Sequence, residues 1–217
     1  MRVVEIFNSI DGEGIRAGKL ATFIRLAGCN LRCSYCDTAY AQELSQGQNL
    51  SIAEICAQVK AHGYKNITLT GGEPLLHEGV YDLVCELNKQ GHQVNIETNG
   101  SIDIEPYTQL PDTIVTMDYK CPSSGCEQQM DVENLELLGV HDVLKFVVAE
   151  TDFVAVRKIL KRYKILAQVF LSPVFGKVKP SQLVEFLKRL NEERLADNVR
   201  VQLQMHKYIW NPQERGV

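Results

Sequence analysis

The amino-acid sequence predicts an α/β protein folded as a partial, open (β/α)6-type barrel, and three observations carry that expectation. Short apolar runs alternate with stretches of helical periodicity, the pattern of repeated βα units on a parallel sheet. About six such units can be counted, fewer than the eight that close a barrel. Polar clusters follow strand after strand, at the carboxyl ends where parallel α/β folds bind ligands. The 217 residues contain no short-period repeat, low-complexity tract or linker, so one domain over 1–217 is expected.

In order along the chain, residues 2–7 read as a short strand. Ser9-Ile10-Asp11-Gly12-Glu13-Gly14 follows as a loop whose glycines let backbone amides approach a ligand, or as a plain turn with solvated acids. Residues 22–26 form a strand carrying one charge, Arg25, which needs either a ligand carboxylate or an internal acid. Ser51 and Glu54 make a capping box for a helix with Ile52, Ile55, Cys56 and Val59 on one face. Residues 66–70 form a strand that runs into Gly71-Gly72-Glu73-Pro74, and Val80, Leu83, Val84 and Leu87 mark the next helix. Strand 93–97 ends in Glu97-Thr98-Asn99-Gly100, and strand 113–117 in Asp118-Tyr119-Lys120. Strand 143–148 embeds Lys145, expected to pair with an internal carboxylate. Thr151 is placed to cap a helix whose apolar positions include Val154, Ile159, Leu160 and Tyr163. Residues 167–171 form a strand ending at Ser172-Pro173, and Leu183, Phe186, Leu187 and Leu190 a further helix. A last strand, 199–203, leads to Gln204-Met205-His206-Lys207.

A net charge of −4 and a pI near 5.8 argue against non-specific binding to nucleic acid or anionic lipid. No apolar run approaches the roughly 20 residues of a membrane span, the opening M-R-V-V-E-I-F-N has no signal-peptide pattern, and seven cysteines suit a reducing compartment. A cytoplasmic location is expected. Cys29, Cys33 and Cys36 stand in C-x3-C-x2-C spacing after the strand at 22–26. Thiolates so grouped ligate one soft metal centre, as in iron–sulfur clusters, whereas a structural zinc site wants four ligands. Three cysteines on four irons leave one iron open to a further ligand. A chance grouping or a redox pair with a spare thiol is the bland alternative.

The motifs S-I-D-G-E-G, F-I-R-L-A-G-C-N-L-R-C-S-Y-C-D-T, T-G-G-E-P, E-T-N-G, D-Y-K-C-P-S-S-G and H-K-Y-I-W span nearly the whole chain in order. In them the chain resembles the radical S-adenosylmethionine (SAM) superfamily, and within it the 7-carboxy-7-deazaguanine synthase family of the deazapurine pathway to queuosine. The resemblance implies that Cys29, Cys33 and Cys36 hold a [4Fe–4S] cluster whose fourth iron is chelated by S-adenosylmethionine. Tyr35, Cys36 and Asp37 would lie beside that cofactor, with Gly72 and Glu73 at its methionine amino group. Glu97, Thr98, Asn99, Asp118, Tyr119 and Lys120 would meet its ribose and carboxylate, and Ser172, Pro173, Val174 and Phe175 its adenine. The substrate implied is 6-carboxy-5,6,7,8-tetrahydropterin, read by Ile10, Asp11, Gly12 and Glu13. Arg25 and His206 would hold its carboxylate, Thr70 and Gln204 would line the pocket, and Thr38 would ligate Mg2+. The reaction implied is radical ring contraction with loss of ammonia. An electron donor such as flavodoxin or ferredoxin and a homodimer are expected, with no nucleic-acid or membrane partner.

Two positions depart from the family pattern: Asp11 stands where Gln is usual, and Tyr35 where Trp is frequent. Cys121 and Cys126 form a C-x4-C pair, too few for an auxiliary cluster. Two other functions fit parts of the pattern. A glycyl-radical activase would need a groove for a protein loop, and a non-catalytic metal-binding module would need a fourth protein ligand.

Overall fold

Seven strands run parallel because each is carried to the next by a crossover segment that returns the chain to the same end of the sheet. The computed structural model describes residues 1–217. Its strands are β1 Arg2–Ile10, β2 Leu20–Leu26, β3 Gln48–Asn49, β4 Asn66–Gly71, β5 Gln93–Thr98, β6 Thr113–Tyr119, β7 Val143–Val148, β8 Gln168–Pro173 and β9 Val199–Val201. Its helices are α1 Ile52–His62, α2 Val80–Lys89, α3 Glu105–Thr108, α4 Asn134–Leu137, α5 Phe153–Arg162, α6 Pro180–Glu192 and α7 His206–Ile209. All nine strands join one sheet in the order β3-β1-β2-β4-β5-β6-β7-β8-β9. From β2 to β9 the pairings are parallel, while β1 pairs antiparallel with both β2 and β3. The two edges do not meet, so this is the open α/β barrel that the sequence predicts.

Side chains alternate across each parallel strand. One set, including Ile67, Leu69, Val94, Ile96, Val115, Met117, Leu144, Phe146, Val169 and Leu171, joins the apolar faces of α1, α2, α5 and α6 in a cluster of 39 buried residues. The other set is largely polar: Thr68, Thr70, Asn95, Glu97, Thr116, Asp118, Lys145 and Ser172. These side chains hydrogen-bond to one another and to the Asp11–Glu13 loop, and so line the barrel interior.

Helix α1 begins as expected. Ser51 accepts from Glu54 N, and the Glu54 carboxylate accepts from Ser51 N. Helix α5 departs from expectation. Asp152, not Thr151, organises its start, accepting from Ala149 N at 2.7 Å and Ser123 N at 2.8 Å. The helix therefore starts at Phe153, which stacks on Phe186 at 4.3 Å. This turns Val156 and Ile159 inward and leaves Val154 63% exposed. Strand β1 also runs further than expected, through Ser9 and Ile10. Because it is antiparallel, it delivers the Asp-Gly-Glu-Gly loop to the amino-terminal end of the barrel.

Candidate active site

At the rim, the cysteine loop is laced to the Gly-Gly-Glu loop by main-chain bonds, Gly72 N to Leu26 O at 3.0 Å and Glu73 N to Gly28 O at 2.8 Å. A Cβ on Gly72 would collide with the Gly28 carbonyl, so only glycine allows this approach. The Cys29 sulfur accepts from Leu31 N at 3.4 Å and stands 3.9 Å from the Asn99 amide nitrogen. The Cys36 sulfur is 3.8 Å from the Thr38 hydroxyl, which caps no helix. Cys33 faces Cys126, and burial pushes its thiol up to about 12 although Lys120 pulls it down. No three His, Cys, Asp or Glu side chains converge as a ready-made metal cage. The donor set nonetheless fits a thiolate-held cluster: three half-buried thiols on one loop, with N–H groups aimed at one of the sulfurs. Cys121 and Cys126 are buried in the outer core.

Glu73 sits where two rim loops meet. It is 0% exposed, and its carboxylate accepts from Leu75 N at 3.0 Å, Thr98 Oγ1 at 2.8 Å and Asn99 N at 2.6 Å. Three of its roughly four acceptor sites are thus used, and one remains on the Asn99 side of the carboxylate. Glu73 and Thr98 brace two rim loops and hold the Asn99 side chain beside Cys29.

Inside the barrel two polar groups occupy different depths. At the amino-terminal end Asp11, 2% exposed, pairs with Arg16 at 2.9 Å and accepts from Thr68 at 2.5 Å. Arg16 also donates to the carbonyls of Gln93 and Ile67, at the starts of β5 and β4. The Asp11 main chain is taken by Lys19 and Gly18. Side chain and main chain of Asp11 thus tie the loop to Arg16, Thr68, Gly18 and Lys19 at the closed end of the barrel. Ile10 lies within β1, opposite Leu20.

Higher in the barrel, the Glu13 carboxylate accepts from Lys145, Ser172 and Gln204, each at 3.1 Å. Lys145 also reaches Asp118 at 3.2 Å, which pairs with Lys120 at 3.0 Å. Burial works against the Asp118 carboxylate, but Lys120 and Lys145 outweigh it and hold it below the usual range. Glu97 joins this group beside Thr70 and Lys145, and burial pushes its carboxyl up against the pull of Lys145. Glu97 and Ser172 thus sit in the interior with Glu13, Lys145 and Asp118. Tyr119 points outward and packs on Phe146 at 5.6 Å, so the Asp-Tyr-Lys run contributes Asp118 and Lys120 only. Val174 is buried, and Phe175 packs edge-on to Tyr208 at 5.7 Å. Asp37, expected at the cofactor, pairs with Lys207 at 2.8 Å. Tyr35 donates to the Val147 carbonyl at 3.1 Å.

Several valences in this interior have no protein partner. Gln204 Oε1 and Asp118 Oδ1 are buried acceptors without donors, the kind of group a ligand donor satisfies. Arg25 gives only its Nε, to Glu5 at 2.7 Å, and keeps its two Nη nitrogens free beside Tyr40. His206 lies against Gly12, and burial pushes its pKa below the ordinary value despite Glu13 and Asp37. The residues that sequence reasoning missed here are Glu5, which aims Arg25, Arg16, and the central position of Lys145. A groove of about 1080 Å3 between α1 and α2, lined by Cys56, Lys60, Cys85 and Lys89 among others, lies on the outer face away from these groups.

A family model of the radical SAM superfamily matches residues 23–190, which covers the cysteine loop and the interior strands. The chain belongs to the radical SAM superfamily. It is 43% identical over 222 residues to the 7-carboxy-7-deazaguanine synthase of Clostridium acetobutylicum, covering 100% of this chain and 99% of that one. Against the Methanospirillum hungatei protein of the same name it is 38% identical over 217 residues, covering 98% and 86%. Its fold superposes on the crystal structure of QueE from Escherichia coli with a TM-score of 0.71 at 26% identity, covering 94% of each chain. Within the superfamily, the chain is a member of the 7-carboxy-7-deazaguanine synthase family.

Proposed function

We propose that this chain is a carbon–nitrogen lyase of one catalytic unit, converting 6-carboxy-5,6,7,8-tetrahydropterin to 7-carboxy-7-deazaguanine with loss of ammonia in deazapurine biosynthesis. One observation carries the reading. A three-thiol loop stands at the rim of an interior whose free groups, the Arg25 Nη pair, neutral His206 and Gln204 Oε1, match a small anionic heterocycle. When bound through Cys29, Cys33 and Cys36, a [4Fe–4S] cluster with S-adenosylmethionine supplies one-electron hydrogen-abstraction chemistry.

The chain's own residues bind and orient. Arg25, aimed by Glu5, offers a two-pronged donor to the substrate carboxylate. His206, neutral at pH 7, donates an N–H to the same group. Glu13 has about four acceptor sites and uses three on Lys145, Ser172 and Gln204, so one remains for a pterin N–H. Gln204 Oε1 supplies a second acceptor. Arg16 and Asp11 seal the amino-terminal end of the barrel against water.

The Thr38 hydroxyl, which caps no helix and meets the Cys36 sulfur at 3.8 Å, fits one ligand of a Mg2+ that takes its remaining oxygens from water and substrate. The chemistry draws electrons from outside, and a flavodoxin or ferredoxin is the donor class. Exposed Val154 and Val184 on α5 and α6 are surface that a second copy would cover in a homodimer. No helix is long and apolar enough to cross a membrane, and a cytoplasmic enzyme is the reading adopted.

The test is anaerobic turnover of the reconstituted, reduced protein with S-adenosylmethionine and the carboxylated pterin. Equal amounts of the deazaguanine acid and ammonia are expected, with Mg2+ stimulation diminished in Thr38→Ala. An intact cluster and bound cofactor with no product would overturn the reading.

A further inference from the structure

Lys145 has been given no ligand above, yet it grips one side chain from each half of the site. Its Nζ is 3.1 Å from Glu13 Oε2, on the loop read as meeting the pterin. It is 3.2 Å from Asp118 Oδ2, on the strand read as meeting the cofactor. The sheet register sets this reach, since Lys145 of β7 lies opposite Asp118 of β6. The lysine is 8% exposed, and Glu97 is the third carboxylate around it. Lys120 holds Asp118 from the other side, while Ser172 and Gln204 hold Glu13. An ammonium has three N–H donors and no acceptor, so once two carboxylates hold it their separation is fixed.

We propose that Lys145 is a positioning residue that couples the cofactor subsite to the substrate subsite. The identity of the two ligands rests on the function proposed above; the bridge itself rests on the distances. Asp118 Oδ1 is buried without a donor. A cofactor hydroxyl or amine that donates to Oδ1 satisfies that oxygen and leaves Oδ2 to Lys145. The ion then holds Glu13, and with it the loop, in one place. The loop that reads the pterin is thereby ordered by occupancy of the cofactor strand, and by linkage the pterin strengthens cofactor binding by the same factor.

A buried ion pair that serves only the fold would stabilise the protein without making the two ligands cooperative. Calorimetry separates the two roles in cluster-loaded protein left unreduced, so that no turnover occurs. S-adenosylmethionine is titrated with and without saturating 6-carboxy-5,6,7,8-tetrahydropterin, and the ratio of the two dissociation constants is the coupling. In the wild type the ratio is expected within the usual range of about 5- to 150-fold, and equal when the order of addition is reversed. In Lys145→Met it is expected to fall to about one while the cluster absorbance persists, with Lys145→Arg restoring part of it. If Lys145→Met does not hold the cluster, Glu13→Gln and Asp118→Asn keep the lysine and weaken one arm each; both are expected to lose the coupling. A ratio unchanged in these variants, or about one in the wild type, overturns the inference. Wild-type protein that binds cofactor but no pterin overturns the substrate reading, and the inference falls with it.

Discussion

At Gly12 the backbone runs against His206: a Cβ there would overlap Nδ1 and stand 3.2 Å from Cγ. The pocket thus fits imidazole to glycine, and burial keeps the ring below its ordinary pKa of 6.5 and neutral at pH 7. The sign of its pH dependence follows. A depressed folded pKa contributes stability above 6.5, which is lost as the pH falls through the lower folded value. A substrate carboxylate placed beside the ring favours the imidazolium, so binding raises that pKa and takes up a proton at mildly acidic pH. Pterin-binding enthalpies are therefore expected to depend on the buffer's ionisation heat near about pH 6 and to lose that dependence near about pH 8. Equal enthalpies in all buffers at both pH values would place the carboxylate away from His206. At this scale the sequence was only partly legible. The thiols and the charges in strands announce themselves by type and spacing. That Glu73 also braces the rim loops and Asp11 the closed end of the barrel depends on Thr98 and Arg16, partners that spacing does not reveal.

Among the elements, strands and long helices were readable because apolar periodicity reports the outer face. The inner face was equally present, as the alternating polar positions of N-I-T-L-T, Q-V-N-I-E-T and T-I-V-T-M-D-Y, but it emerges only when each strand is read with a period of two. That reading separates Asp118 from Tyr119 and Glu97 from Thr98, which the rim loops had merged. The start of α5 was displaced because Asp152 answers to Ser123, 29 residues away in sequence. The loop between β1 and β2 gives the clearest energetic test. Asp11 and Arg16 are buried together, and burial pushes the Asp11 carboxyl up while Arg16 holds it down. Removing one member of a buried pair leaves the other charge uncompensated, at a cost of about 3–5 kcal/mol. Arg16→Leu is expected to lose about that much in urea unfolding, whereas a loss close to zero would mean that the loop is not anchored through this pair.

In the whole molecule, the open barrel leaves its β9 side unpaired by strand hydrogen bonds, and the same loop closes it. Gly14 N donates to Gln202 Oε1 at 2.6 Å, and Gln202 Nε2 donates to Gly14 O at 3.0 Å. Met205 N adds a bond to Gly12 O at 3.1 Å. A single side chain just past β9 thus imitates a strand partner for a loop 188 residues earlier. Closure in this form, rather than by an additional strand, leaves Glu13 and Gly12 on a segment tied at few points, next to Gln204 and His206. Gln202→Leu keeps most of the volume but strips both bonds from the buried Gly14 backbone, costing about 1–3 kcal/mol. The loss should be local. Hydrogen exchange at the Gly14 amide is expected to accelerate while α5 and α6 keep their protection. Pterin affinity should fall more than cofactor affinity, because the rim loops that hold the thiols are laced to β4 and β5 and not to this seam. Equal loss of both affinities would mean that the seam supports the whole barrel rather than its substrate side.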